Sequence, residues 1–336
     1  MEHLIFAFNA ISPIILLIVL GYVLRKIGFI NDEFLKIGNK VVFNICLPCA
    51  LFANVYSVES FDNINLGMVL YICIAVVLVF LLAIGVAMLT TKEPDKRGVV
   101  HQATYRSEFG VIGLSLAFEL GGNMGAQMAS LIAAVSVPLF NILAVISLSM
   151  FKNAGGIKDG VKKVGKSICK NPLLWGVGLG IVCLAIRLAI PVDSTGEAVF
   201  SIKRTFPFIY QTIQYLKNLT TPFALIVLGG CFDFGTAKEN VKSISVACVC
   251  RIVIVPLFAL GIAALLTKNG FLNFDKSIFS AMTALFAAPV AIASGPMAEQ
   301  MDNDGKLAGQ LIVWSSIFSI LTIFAYVVAL RFLGLI

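Results

Sequence analysis

Charge is scarce in this chain. Of 336 residues only 13% are Asp, Glu, Lys or Arg against 59% hydrophobic, and the mean hydropathy is +0.96. So few charges leave no solvated surface, which excludes a water-soluble fold and points to an integral membrane protein. Histidine is nearly absent, with only His3 and His101, and there is no H-E-x-x-H, no G-x-S-x-G and no intramembrane aspartate pair. Metal-assisted hydrolysis and acyl transfer therefore lack their residues, and neither an enzyme nor a cofactor is expected. A Walker A sequence is also missing, which removes ATP as the energy source and leaves ion gradients. The eight cysteines fall mostly inside apolar runs, where a thiol behaves as a small apolar group. Cys46 and Cys49 have the spacing of a metal or redox pair, but no second pair or His accompanies them.

What is present is a succession of apolar runs. Residues 4–24, 41–58, 63–91, 120–151, 277–298 and 307–330 are each uncharged and long enough to cross the roughly 30 Å of hydrocarbon in a bilayer. Four more, 98–120, 171–192, 218–232 and 243–267, carry a charge or an interruption, giving ten expected crossings. Helices satisfy their own backbone in lipid, and runs this long are unlike barrel strands, so the expected class is all-α. The first run follows Met1-Glu2-His3 with no basic stretch before it and no small-residue cleavage site after it, and reads as a retained helix. The segment 201–217, mixed basic and aromatic with Pro207, is expected to lie in the interface.

Lysine and arginine fix the expected orientation. One set of alternate loops holds sixteen of them and the other seven, so both termini are expected outside and the basic loop 152–170 in the cytoplasm. The net charge of +7 follows from this bias and from anionic lipid as a partner, without a nucleic acid. The loop divides the chain into 1–151 and 171–336, five crossings each, and an odd number forces the halves to insert in opposite senses. Pro48-Cys49-Ala50-Leu51 and Pro222-Phe223-Ala224-Leu225 share P-x-A-L at an offset of 174 residues, and the same offset carries Ser115 of span four onto Pro289 of span nine. The chain thus reads as a 5+5 inverted repeat, an arrangement common in secondary transporters.

Pro289 lacks a backbone donor and clashes with the preceding turn, so span nine should open there, among Ala287, Ala288, Ala291, Ala293, Ser294 and Gly295. Span four is expected to break through Gly110 and Gly113. Broken half-helices would offer N–H groups to an anion and carbonyls to a cation such as Na⁺. Glu108 and Arg106 lie in span four, and Arg251 lies nine residues past Lys242, roughly 13 Å into the membrane at helical rise. Each such charge costs at least about 2.5 kcal/mol to insert, so each needs a partner, a cavity or, for Glu108, a proton. Glu108 and Arg106 point apart on a regular helix and meet only if it unwinds, which leaves Arg251 as the other partner for Glu108. Asn44, one turn before Pro48, Ser115 and Ser294 complete the candidate ligands, along with the polar Ser107, Asn141, Ser315 and Ser316.

Several stretches resemble the auxin efflux carrier family in its bacterial branch, along essentially the whole chain. They are Gly21-Tyr22-Val23-Leu24-Arg25-Lys26-Ile27-Gly28, Val42-Phe43-Asn44-Ile45-Cys46-Leu47-Pro48, Asn171-Pro172-Leu173-Leu174, Thr221-Pro222-Phe223-Ala224-Leu225 and Ala288-Pro289-Val290-Ala291. The resemblance implies ten helices with crossed, broken helices four and nine, related to bile-acid and sodium/proton carriers. It further implies a scaffold of spans 1, 2, 6 and 7, a moving part of spans 3 to 5 and 8 to 10, and elevator-like transport of an organic anion such as malate, malonate or indole acetate. Where family members look like N-x-G-x-x-G-x-P in span four, this chain has Glu108 for the asparagine and Ser115 for the proline. A carboxylate repels an anion unless protonated, so either Glu108 takes up a coupling proton or the substrate is not a simple anion. The coupling ion, H⁺ or Na⁺, is left open, as are a homodimer and the rival readings of a channel or a transporter-like sensor.

Overall fold

The computed structural model describes residues 2–58, 65–152, 165, 169–191, 199 and 201–336; most of the basic loop 152–170 lies outside them. The helices are α1 (Glu2–Lys26), α2 (Asp32–Val41), α3 (Leu47–Tyr56), α4 (Leu66–Thr90), α5 (Pro94–Tyr105), α6 (Leu114–Met150) and α7 (Pro172–Ala189). They continue as α8 (Ile202–Thr205), α9 (Pro207–Gly230), α10 (Phe234–Glu239), α11 (Val241–Val249), α12 (Val255–Lys268), α13 (Lys276–Ala287), α14 (Ser294–Gln300) and α15 (Gly305–Phe332). The protein is all-helical, and the described residues contain no strand, only the single bridge pair Ser107 and Val290. Among them six segments are long and apolar enough to cross a membrane: 32–56, 66–90, 114–150, 172–189, 241–268 and 305–332.

Local chemistry sets the helix ends. Asn31, Asn65, Asn171, Asp275 and Asp304 each precede a helix and accept a backbone N–H of its first turn through the side-chain oxygen. Prolines set the irregularities inside. Wide π turns at Val42–Cys46 and Cys250–Ile254 each end two residues before a proline, Pro48 and Pro256. A proline cannot donate to the carbonyl four residues back and crowds it, and one wide turn relieves both problems without ending the helix. Gly122, at φ 59°, bends α6 in a conformation that other residues rarely adopt.

Two expectations change here. The interfacial segment 201–217 is not separate: Pro207 starts a helix at a position where its missing N–H costs nothing, and α9 runs unbroken from there to Gly230. Span four does not break at Gly110 and Gly113. They lie in a third π turn, Phe109–Gly113, through which the helix resumes after an extended stretch at 106–108.

The helices pack in two sets, which meet where α1 lies along α15. In one, α1 lies on α9, α9 on α3, and α3 on α7. Gly21 and Gly229 make the first contact possible: a Cβ on Gly21 would sit 2.0 Å from the Ile226 oxygen, and one on Gly229 2.0 Å from the Ile18 oxygen. Such backbone contact is how helices associate in lipid, where apolar side chains gain little by leaving one apolar medium for another. In the other set α13 packs on α6, α4 on α5, and α14 on α15, with every residue from Ile278 to Ala287 buried. Leu16, Leu82, Leu89 and Leu321 face outward and are well exposed, as a lipid-facing surface requires.

Candidate functional site at a helix crossing

Pro289 does what its chemistry dictates. α13 stops at Ala287, Ala288 is extended as the residue before a proline prefers, and helix returns only at Ser294. The carbonyls and amides freed at this depth need partners, and a second interrupted helix supplies them. α5 stops at Tyr105 and residues 106–108 run antiparallel to 289–291: Glu108 N donates to Pro289 O (2.9 Å) and Ala291 N to Arg106 O (3.3 Å). The break in span four is therefore set by pairing with span nine, not by its glycines, which explains its position before Gly110. Side chains complete the junction. Ser107 Oγ donates to Leu285 O (2.6 Å), and Val290 N donates to Ser315 Oγ (3.1 Å).

Arg251 lies against the ends of both broken helices. Extending from the π turn ahead of Pro256, its guanidinium is fully buried and makes five hydrogen bonds, all to backbone carbonyls. Nε and Nη2 donate to Ala288 O (3.1 and 2.8 Å), Nη2 also to Phe286 O (3.0 Å) and Leu285 O (3.3 Å), and Nη1 to Tyr105 O (3.2 Å). The C-terminal ends of α5 and α13, each carrying partial negative charge, thus converge on one cation. Glu108 lies on the other side of the junction. It is 8% exposed, and its Oε2 accepts the Ile292 N–H at 2.5 Å, which gives that amide, just ahead of α14, a carboxylate from within the chain.

A cavity of about 410 Å³ opens over the crossing. Its floor is Arg106, Ser107, Glu108, Phe109 and Gly110 with Ala291 to Ala293. Its walls come from α3 (Leu47, Ala50, Leu51, Asn54), α6 (Val137, Phe140, Asn141) and α9 (Lys217, Asn218, Thr220, Thr221, Pro222, Ala224). Both P-x-A-L motifs of the sequence line it. Arg106 is buried, donating to Asn141 Oδ1 (2.9 Å) and Met297 S (3.2 Å). The cavity therefore presents two cations, one carboxylate, three side-chain amides and two threonines between apolar walls, at the smaller end of small-molecule pockets. A second cavity of about 1000 Å³ lies further along α9, lined by Arg25, Lys36, Cys231, Asp233, Glu299 and Lys306 among others. There Asn39 of α2 donates to Glu299 of α14, joining the two helix sets.

The structure brings together Glu108, Arg106, Gly110, Pro289 and Arg251. Gly113 lies one turn on, where a Cβ would meet the Phe109 ring at 2.2 Å, so its role is to let that ring pack. Ser294 is buried at the start of α14, and its hydroxyl has no hydrogen-bond partner among the described residues. Ser115 is exposed on α6, off the cavity. Asn44 also departs from expectation: the wide turn rotates it to an exposed face, where it donates to Lys40 O at 2.9 Å. Lys217, Asn218 and Asn54 were missed by reading the sequence. The usable signal was the position of Lys217 five residues ahead of Pro222, within reach of a motif already matched across the halves.

Comparison with known proteins follows the same line. Residues 6–327 match the family described as membrane transport protein. An uncharacterized transporter of Methanothermobacter thermautotrophicus is 23% identical over 94% of this chain and 95% of its own length. A second, from Methanocaldococcus jannaschii, is 24% identical over 94% and 96%. Protein PIN-LIKES 2 of Arabidopsis thaliana is 26% identical over 43% of this chain and 33% of its own.

Proposed function

Because the chain belongs to the auxin efflux carrier family of membrane transport proteins, we propose that it is an ion-coupled secondary transporter of a small organic anion, moving its substrate by an elevator motion. The observation that carries the reading is the cavity over the crossing, with Arg106 and Lys217 as the cations that meet a carboxylate. Apolar walls from Leu47, Leu51 and Phe140 suit the hydrocarbon part of the same molecule. Glu108 is the proton-binding group of the cycle: neutral, it lets the anion in, and ionised, it repels it.

The motion has its parts. Helices α1, α2, α3, α7 and α9 form the fixed scaffold, and α4 to α6 with α11 to α15 form the moving body. What supports this division is the close packing within each set, with the substrate cavity between them; the seam of α1 along α15 and the Asn39–Glu299 hydrogen bond are contacts that a sliding motion breaks. In this reading the helices make ten crossings as a 5+5 inverted repeat: α2 with α3, α5 with the first part of α6, α11 with α12, and α13 with α14 each count as one. The protein sits in the cell membrane with both termini outside.

Uptake of labelled malate and indole acetate into liposomes containing the purified protein, under an imposed pH gradient, tests the proposal. Saturable uptake that stops when the gradient is collapsed is the expected result. No saturable flux of any carboxylate, or currents of channel size, would reject it.

A further inference from the structure

Carbonyl groups at the ends of broken membrane helices are the usual ligands of a coupling cation such as Na⁺, and the crossing here has such a set: Tyr105, Leu285, Phe286 and Ala288. The residues do not fit the ion. All four oxygens already accept hydrogen bonds from Arg251, at 2.8 to 3.3 Å, and Leu285 O accepts a further one from Ser107. A sodium ion bound to the same oxygens would stand within a few ångströms of a fully buried guanidinium, where like charges repel most strongly.

We propose that Arg251 is the resident cation of the crossing: tethered by the α11–α12 segment, it does permanently what a bound sodium ion does elsewhere, so that the transport cycle runs without sodium. The guanidinium suits the place for three reasons. Its planar fork reaches several carbonyls at once and holds both half-helix ends to one group, which a point-like ammonium does not. It neutralises two converging negative helix ends without needing a carboxylate. And it comes from a π turn, the local geometry that lets an otherwise continuous helix aim a side chain at the crossing. The consequence for energetics is that the cation is never released, so it carries no gradient energy and the driving ion must bind elsewhere. The inference rests on the transporter reading only for that last step; the cation role itself is a matter of stability.

The test uses the full-length protein in lipid nanodiscs, in NaCl or in N-methyl-D-glucamine chloride at equal ionic strength, read as melting temperature, with uptake measured in parallel. The wild type is expected to melt at the same temperature in both salts and to transport equally in both. A saturable rise in melting temperature with sodium would overturn the proposal. Arg251→Ala is expected to lose uptake and to melt lower, and low millimolar guanidinium or sodium should restore part of the melting temperature, because the vacated carbonyls then accept a free cation. An Arg251→Ala protein that keeps wild-type stability and uptake without sodium would contradict it. If that variant does not fold, the two-salt comparison on the wild type still decides. Should the wild type melt alike in both salts yet transport no carboxylate, the transport reading fails and the resident-cation reading stands.

Discussion

Replacing Glu108 by Gln keeps an oxygen within reach of the Ile292 amide, now 2.5 Å from Oε2, and removes the charge that faces the cavity. Two energies follow. A charge-assisted hydrogen bond contributes roughly 1.5 to 3 kcal/mol and a neutral one about 0.5 to 1.5, so the variant loses on the order of 1 kcal/mol of stability where the carboxyl is ionised. The effect on binding is larger. Two unit negative charges about 6 Å apart, at an effective dielectric of about 20, repel by roughly 3 kcal/mol, equivalent to about a hundredfold in Kd. The sign follows from the proposed role of Glu108: a carboxylate binds more tightly beside the neutral carboxyl than beside the ionised one, so wild-type affinity is expected to fall as pH rises, whereas Glu108→Gln is expected to stay at the tight-binding level throughout. Titrating malate and indole acetate against purified wild type and variant between pH 5.5 and 8.0, by calorimetry, measures both curves. Parallel curves, or wild-type affinity that climbs steadily with pH, would refute the protonation argument.

Other perturbations follow from the same geometry. Lys217→Ala should weaken carboxylate binding about tenfold, the loss of one hydrogen bond to a charged group, and leave the melting temperature near wild type; equilibrium binding and a thermal melt check the two halves. Arg106→Lys should lose affinity and stability together, because an ammonium cannot reach both Asn141 and Met297 as the fork does, and the melt should show it. Gly21→Val sets a side chain 2.0 Å from the Ile226 oxygen and forces α1 from α9, for a loss of about 1 to 3 kcal/mol seen in chemical unfolding. Asn39→Leu should lower the melting temperature by stranding the half-buried Glu299, while Glu299→Gln, which still accepts the bond, should not.

Sequence alone showed the interrupted span nine, because Pro289 forbids a regular helix whatever surrounds it. The matching break was misplaced because nothing local requires it: Arg106, Ser107 and Glu108 leave the helix because the Pro289 carbonyl and the Ala291 amide need antiparallel partners, and that pairing joins residues more than 180 positions apart. Arg251 was legible as a charge too deep to be idle, yet its carbonyl partners belong to two other helices and no pattern in its own segment names them. Asn44 failed for the opposite reason. A wide turn ahead of Pro48 shifts the helical phase, and a residue placed by regular spacing from the proline ends on the outer face. Lys217 was lost with the boundary of α9, since a lysine at the edge of an apolar run reads as the end of the run.

The most direct measurement is a density map of the protein in nanodiscs with a bound dicarboxylate. The account predicts unwound backbone at 106–108 and 288–293, the ligand between Arg106, Lys217 and Glu108, and guanidinium density joining the ends of α5 and α13. Unbroken helices through both segments, or a ligand bound away from that junction, would contradict it.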